Sequence, residues 1–160
     1  MAAAGEHYVL SRLCLNGYIA ALAPKGVPAT DIVVTDIAGS RLFAVQVKAR
    51  LDKGTDKGWH MSRKHEDITP PSLFYCFVDF GDGKESIPVT FIVPSKIVAE
   101  VLKWTHQAWL QKPGKNNRAH KDTDFRRFVP DYGFYLGSEC GEYGCGWLDH
   151  YKEAWQTLPK

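Results

Sequence analysis

The sequence predicts an α/β (α+β) fold in which a mixed β-sheet is flanked by helices. Three observations carry this prediction. Residues 3–16 show helical spacing of apolar side chains, residues 31–49 show two strand-like runs around a turn, and residues 73–80 form a continuous apolar run. Strand-like and helical segments alternate along 160 residues with 44% hydrophobic content, which suits a single domain spanning residues 1–160.

The first fifty residues predict one helix and three strands. Val9, Leu10, Leu13 and Cys14 recur at helical spacing, and Gly17 ends the helix. An apolar run at 18–22 predicts a strand, and the prolines and glycine at 24–28 predict a loop. The β-branched runs at 31–37 and 41–49 flank Ala38-Gly39-Ser40, so they predict a hairpin.

The rest of the chain predicts a second set of elements. Residues 50–72 are polar and predict a loop with a short helix near 62–67. The run at 73–80 suits a central strand buried on both faces. A strand at 89–93, a helix from Ser95 to about Trp109, irregular structure over 130–146 and a final helix over 147–157 follow.

Composition sets few limits on function. No apolar run approaches the length of about eighteen residues that a membrane span needs, and the N-terminus lacks a signal-peptide pattern, so the expectation is a cytoplasmic protein without a membrane partner. Cys14 and Cys76 lie in apolar segments and predict small buried side chains. Cys140 and Cys145 leave pairing and zinc binding open, but a single C-x4-C is a weak zinc signal.

The net charge of +2 indicates little, but its distribution is uneven. Residues 48–65 and 112–127 each carry six Lys or Arg, so the remaining chain is acidic overall. Two basic islands suit a polyanionic partner, and the alternative is that they are solvated loops. Within them, the candidate nucleic-acid-binding residues are Arg50, Lys64, His65, Arg118, Arg126 and Arg127.

The hairpin brings three polar residues together. With Ala38-Gly39 as the turn, paired positions place Asp31 opposite Gln46, and alternation directs Gln46 and Lys48 to one face. The apolar positions then take the other face, which supports this register. A slip by one residue would aim Asp31 at the opposite face. The ordinary alternatives are a turn-capping Asp31, a solvent-exposed Gln46 and a Lys48 that extends from a strand end into water.

Glu6 lies on the same helical stripe as Val9 and Leu10, which is predicted to pack on the sheet. A carboxylate on such a stripe requires a cation or a hydrogen-bond partner, unless Glu6 simply stabilises the first helical turn. With Asp31, the Gln46 amide oxygen and the Val47 carbonyl, Glu6 would complete a set of oxygen ligands. Mg²⁺ prefers such ligands, and a cation there would polarise a phosphoryl oxygen.

These residues resemble the PD-(D/E)XK nuclease superfamily, in its variant with a Q-x-K third motif. The matching stretches are Gly5-Glu6, the strand beginning at Asp31-Ile32-Val33-Val34, and Val45-Gln46-Val47-Lys48. The resemblance implies a restriction-endonuclease-like core and phosphodiester hydrolysis with Mg²⁺ or Mn²⁺. It implies Glu6, Asp31, Gln46 and Lys48 as catalytic residues, with Glu6, Asp31, Gln46 and Val47 as metal ligands.

Two departures accompany the resemblance. Thr30 replaces the usual proline before Asp31, and Gln46 replaces the usual carboxylate, which removes a negative charge from the metal site. The leading hypothesis is a metal-dependent DNA endonuclease, for which cutting two strands would favour a homodimer. The alternatives are a nucleic-acid-binding module that has lost catalysis and an unrelated α/β protein in which the motif is accidental.

Overall fold

A five-stranded mixed sheet organises the structure. The computed structural model describes residues 1–53, 57–83 and 86–160, with only the backbone described at Lys115. The sheet has the order β1-β2-β3-β5-β6, in which β3 and β5 are parallel and the other neighbours are antiparallel. Its strands are β1 (Ile19–Leu22), β2 (Ile32–Thr35), β3 (Leu42–Arg50), β5 (Leu73–Asp79) and β6 (Val89–Pro94).

Helices cover both faces of this sheet, which confirms the predicted fold class. The first helix, α1 (Ala2–Leu15), packs Val9 and Leu13 on one face, and α2 (Ser95–Gln111) covers the other. The central strand β5 is buried on both faces because its alternate side chains enter different cores. Phe74, Cys76 and Val78 face the core that contains α1, whereas Leu73, Tyr75 and Phe77 face the core that contains α2.

The α1 helix approaches β3 closely at a glycine. A Cβ placed on Gly5 would lie 2.6 Å from the Cβ of Ala49 and 3.2 Å from Cγ1 of Val47. Real Cβ atoms do not approach so closely, so this crossing requires glycine. The contact sets the height of the helix above the strand that carries Gln46 and Lys48.

A second sheet was not predicted from the sequence. It pairs β4 (Trp59–Ser62) with β7 (Phe125–Phe128) in antiparallel register. β4 lies in the predicted loop over 50–72, of which residues 54–56 lie outside the described residues, and no element was predicted for the segment that contains β7. The predicted short helix near 62–67 is present as a 3-10 helix, Arg63–Glu66.

The predicted final helix over 147–157 is wrong. Short 3-10 turns occupy Asp149–Tyr151 and Trp155–Thr157, and between them Lys152 bridges Phe91 of β6. Glu153 has a positive φ of 49°, its N–H donates to the Thr90 carbonyl at 2.8 Å, and its carboxylate accepts from the Thr90 N–H at 2.7 Å. The sheet edge therefore satisfies backbone groups that a helix would have paired internally.

Two other structural expectations have different outcomes. Cys76 is buried as predicted, and burial raises the pKa of its thiol, but Cys14 is exposed because it lies on the outer side of α1. Cys140 and Cys145 are free thiols. No helix within the described ranges is long and apolar enough to span a membrane.

Candidate metal centre and nucleic-acid interface

The hairpin register predicted from the sequence is confirmed. Ile32 pairs with Val45 and Thr35 with Leu42, so Asp31, one residue before β2, lies opposite Gln46. The Asp31 N–H donates to the Val45 carbonyl at 2.9 Å, one position off the regular pairing, so the ladder ends at Ile32 and Asp31 lies in a bend. Val34 and Phe43 enter the core below α1, and alternation along β3 turns Gln46 to the opposite face, while the Asp31 carboxylate lies at the edge of β3.

The Asp31 carboxylate is fixed by β3. Its Oδ2 accepts the Val47 backbone N–H at 2.7 Å and also accepts a hydrogen bond from Nε2 of Gln46. The Gln46 side chain is only 8% exposed. Three of the four residues in the predicted metal set therefore meet through direct contacts. Because the amide nitrogen is engaged, the Gln46 Oε1 remains as an oxygen ligand.

Lys48 lies two residues along the same strand and half-buried beside this group. Burial lowers the pKa of its ammonium group, the Asp31 charge works in the opposite direction, and Lys64 adds to the lowering. The charges of Asp31 and Lys48 thus act on each other. A partly desolvated ammonium beside a carboxylate can stabilise negative charge more strongly than an ammonium in water.

A buried histidine–tyrosine pair flanks this group on the α2 side. Tyr75 of β5 is the register neighbour of Gln46, and its hydroxyl shares a 2.8 Å hydrogen bond with Nδ1 of His65. Burial, together with the charges of Lys48 and Lys64, lowers the pKa of His65 to about 4. His65 is therefore neutral at pH 7, and its partner Tyr75 lies beside Gln46 in the sheet.

The structure places Glu6 differently from the other three. Its side chain is half-buried on α1, next to Gly5, which contacts Val47. Within the described ranges, Glu6 has no hydrogen bond or ion pair, and neither Asp31 nor Gln46 contacts it directly. The α1 helix lies over Val47 on the face of the sheet opposite to Gln46, and the place of Glu6 in the ligand set stays a prediction.

The donor set fits a hard divalent cation. Carboxylate, amide and backbone carbonyl oxygens are the ligands that Mg²⁺ uses, and Mg²⁺ retains several waters. The Val47 N–H points to Asp31, and in a β-strand the N–H and carbonyl of one residue point to the same side. The Val47 carbonyl therefore also points to the Asp31 side of β3, beyond the end of β2. Among the described residues there is no cluster of three or more His, Cys, Asp or Glu side chains placed for a metal. Gln46 and a main-chain oxygen would therefore have to supply the ligands that carboxylates provide elsewhere.

A polar cavity of about 310 Å³ opens beside Lys48. Arg50 lies in its wall, held by hydrogen bonds from Nε and Nη2 to Asp79, with its guanidinium 4.6 Å from the Trp59 ring centre. Trp59 itself is buried and donates to the Val78 carbonyl at 3.0 Å, so it is a core residue. The cavity combines cationic side chains with room for a phosphate group. Its lining residues are Lys48, Ala49, Arg50, Leu51, Lys53, Gly58, Trp59 and His60.

The two basic islands lie side by side because β4 pairs with β7. His60 is opposite Arg127, and Met61 is opposite Arg126. Several of their cations are already engaged: Arg63 pairs with Asp122, Arg126 with Glu66, and Arg127 donates to the Tyr135 hydroxyl at 2.8 Å. Lys64 and Arg118 are exposed and have no ion pair among the described side chains. The solvated part of the islands is smaller than the sequence indicated.

Two predicted nucleic-acid contacts need correction. Arg126 is only 3% exposed, and its guanidinium also donates to the carbonyls of Thr123 at 2.6 Å and Phe125 at 3.0 Å. His65 is likewise 3% exposed. Because both side chains are buried and hydrogen-bonded to internal partners, neither is placed to contact a phosphate directly. Each instead supports a neighbour, Arg126 the 3-10 helix and His65 the Tyr75 hydroxyl.

The sequence analysis missed Tyr75. A signal was available, because a tyrosine in a run otherwise rich in Leu, Phe, Cys and Val must satisfy its hydroxyl inside the core. The sequence did not indicate the hydrogen-bond partner, because no local pattern connects Tyr75 to His65, ten residues earlier.

Comparison with known proteins gives a likeness of fold but no match of sequence. No family model matches the chain, and no curated protein matches it. The structure is similar to that of Hjc from Archaeoglobus fulgidus, a Holliday junction resolvase from an archaeal hyperthermophile. The TM-score is 0.45 with 14% sequence identity, over 80% of this chain and 83% of that one. At that identity no residue role is transferred, and the site rests on the geometry of this chain.

Proposed function

We propose that the protein is a Mg²⁺- or Mn²⁺-dependent endonuclease that hydrolyses phosphodiester bonds in DNA. The observation that carries the proposal is the position of the Asp31 carboxylate, which is fixed by the Val47 N–H and the Gln46 amide beside the half-buried ammonium of Lys48. This is the arrangement that the Q-x-K resemblance implies, and it arises from a register that the chain itself sets.

Each residue has a distinct role in the proposed reaction. Asp31, Gln46 and the Val47 carbonyl would hold the cation, with Glu6 as the fourth protein ligand. The cation would supply charge to the phosphoryl group undergoing attack. Lys48 would stabilise negative charge developing on the phosphate or orient the attacking water. Tyr75 would support Gln46 from the adjacent strand, and His65 of the 3-10 helix would hold the Tyr75 hydroxyl, with neither side chain contacting substrate.

Backbone binding is proposed for the exposed cations. Lys64 and Arg118 present solvated charges, and Arg50, Arg127 and the cavity beside Lys48 add positive charge along the β4–β7 pair. Contacts of this kind bind phosphates without reading sequence, so affinity should fall steeply as salt rises. They favour DNA as the partner over a small neutral substrate.

The test is a cleavage assay with supercoiled, branched and single-stranded DNA in Mg²⁺ or Mn²⁺. Wild type should cut at least one form, EDTA should abolish cutting, and Asp31→Asn should be inactive while remaining folded. Asp67→Asn, an exposed aspartate on the loop before β5, is the matched control and should retain activity. Cleavage that persists unchanged in Asp31→Asn would refute the proposal, and sedimentation in the same buffer would show whether the active species is a homodimer.

One observation favours a second candidate, an inactive nucleic-acid-binding module. Gln46 leaves the metal set with one carboxylate fewer than the usual motif, and its amide is already bonded to Asp31. This candidate predicts DNA binding that falls with salt, together with no cleavage under any metal condition. The same assay therefore separates the two candidates.

A further inference from the structure

A second cavity, of about 180 Å³, lies between α2, β7 and the short helix α3 (Gly133–Leu136). None of Asp31, Gln46 and Lys48 lines it. We propose that this cavity binds the base of a nucleotide, which deepens the proposed function by adding a base-binding site to the nuclease. Its lining residues are Leu102, Thr105, His106, Trp109, Thr123, Phe125, Arg126, Arg127, Tyr132, Tyr135 and Leu136.

The size and the walls suit one planar ring system. An apolar cavity of about 150 Å³ holds a benzene molecule, so this space accommodates a ring but not an extended ligand. Aromatic side chains at Trp109, Phe125 and Tyr135 form part of the wall. Phe125 is 45% exposed, which is unusual for a phenylalanine and places part of its ring in contact with solvent. All four nucleic-acid bases can stack on such aromatic rings.

The cavity has few polar groups, and these can form hydrogen bonds with the edge of a base. The Thr105 hydroxyl donates to the Val101 carbonyl at 2.7 Å, and its oxygen can still accept a hydrogen bond. The Arg127 guanidinium lies 5.3 Å from the Phe125 ring centre and 5.1 Å from that of Tyr135. A planar cation among aromatic rings suits a heteroaromatic ligand with hydrogen-bond acceptors on its edge.

The surroundings of the cavity suit the phosphate of a nucleotide. Lys112 donates to the Tyr135 carbonyl at 3.3 Å, and His120 stacks on Trp109 with ring centres 3.9 Å apart. Acidic side chains also lie here: Asp122 is bonded to His106 at 2.9 Å and paired with Arg63, Glu66 is paired with Arg126, and Asp124 is exposed next to Phe125. Arg127 in the wall and Lys112 beside it can therefore supply positive charge for the phosphate of a nucleotide.

The 3-10 helix Arg63–Glu66 connects this cavity to the candidate metal centre. Its His65 shares a hydrogen bond with Tyr75, the register neighbour of Gln46, and its Glu66 pairs with Arg126 in the cavity wall. A DNA strand that places one base in the cavity would therefore be held in a fixed relation to Lys48. The base could come from a strand, unstacked from its neighbours, or from a free nucleotide.

The test uses 2-aminopurine, a fluorescent base that is quenched when it stacks. It is supplied as the nucleoside monophosphate, and separately as one base within a single-stranded and a duplex oligonucleotide, all in EDTA so that nothing is cut. Saturable quenching by the wild-type protein is expected. Quenching with the monophosphate identifies free nucleotide as a ligand, whereas quenching with oligonucleotides alone identifies a base taken from a strand. Absence of saturable quenching with every probe overturns the proposal.

Variants assign the signal to the cavity. Phe125→Ala should weaken binding of the quenched probe by about tenfold, the effect of losing one base–aromatic stack. Phe125→Leu keeps the apolar volume without the ring and should weaken binding similarly, which guards against misfolding of the alanine variant. Phe134→Ala, an aromatic side chain 73% exposed on α3, is the matched control and should bind as wild type does. Equal binding by all four proteins overturns the proposal.

The outcome is separable from that of the proposed function. Asp31→Asn should abolish cleavage and leave the 2-aminopurine signal unchanged. A protein that never cuts DNA, yet shows quenching sensitive to Phe125, retains the base site and loses the nuclease proposal. A protein that cuts DNA with the same efficiency in Phe125→Leu, without quenching, retains the nuclease proposal and loses the base site.

Discussion

Oδ2 of Asp31 accepts the backbone N–H of Val47 at 2.7 Å, so a residue just before one strand is fixed by the main chain of the next. The bond requires the hairpin register in which Ile32 faces Val45. It also leaves the Val47 side chain free to enter the α1 core. The same residue therefore serves the candidate metal centre with its backbone and the core with its side chain.

Replacing Gln46 by Glu should make stability depend on divalent metal. The variant loses the N–H donor to Asp31 and adds a second carboxylate at an almost buried position, so unfolding in EDTA should require about 1–3 kcal/mol less free energy than in wild type. Mg²⁺ should restore much of this loss because it binds the folded state alone. Thermal melting with EDTA and with Mg²⁺ measures the effect. Gln107→Glu, exposed on α2, should show no such dependence, and equal responses in the two variants would contradict a metal site at Gln46.

Lys48→Met should lower kcat by about 100-fold or more, since it removes a positioned, partly desolvated charge from the proposed reaction centre. Single-turnover cleavage of DNA measures this. Lys64→Met removes an exposed charge nearby and is the matched control, expected to change KM more than kcat. Similar losses of kcat in both variants would show that Lys48 acts only through general electrostatics.

His65 should make the fold less stable in mild acid. Its folded-state pKa of about 4 lies below the ordinary value of 6.5, so the unfolded chain binds the proton more readily, and stability is lost as pH falls from about 6.5 towards 4. Between pH 7.5 and pH 5 the loss should be about 2 kcal/mol. Urea unfolding at the two pH values should show this loss of stability in wild type and a smaller loss in His65→Gln. His150 is exposed, so the control His150→Gln should lose as much stability as wild type. Identical pH dependence in all three proteins would exclude His65 as the cause.

Gly5→Ala should destabilise the protein, although alanine is normally the better helix residue. The added Cβ would meet that of Ala49 at 2.6 Å, and overpacking of this kind costs about 1–3 kcal/mol. Pairing it with Ala49→Gly removes the opposing methyl, so a double-mutant cycle should give a favourable coupling of about 1 kcal/mol or more. Additive effects in urea unfolding would mean that α1 moves away from β3 without cost.

Exposed cations should account for the salt dependence of DNA binding. Lys64→Ala and Arg118→Ala should each reduce the steepness of log affinity against log salt by about 1, the amount expected for the loss of one phosphate contact. Lys96→Ala, 74% exposed at the start of α2, is the control with an unchanged slope. Fluorescence anisotropy measures the DNA affinity between 50 and 200 mM salt. Over this range the affinity of a protein with several phosphate contacts changes by about 10³-fold, which is enough to resolve the difference. Unaltered slopes in both test variants would remove the islands from the interface.

The sequence by itself determined the fold class and the core of the candidate site. Alternation of apolar residues along 31–49 admits a register that buries Val34, Phe43 and Val45 together, and that register alone places Asp31 opposite Gln46. The long apolar run of β5 similarly predicted a strand buried on both faces. These features are local, so hydrophobic periodicity and a short turn are sufficient to specify them.

Only the tertiary structure decided the rest. The β4–β7 pair joins segments more than sixty residues apart, and it buries Arg126 against Glu66, although no strand was predicted in either segment. The C-terminal segment forms a β-bridge to the sheet edge instead of a helix because Thr90 offers partners to both the backbone and the carboxylate of Glu153. Such contacts depend on which surfaces meet after the sheet has formed, and no local pattern specifies them.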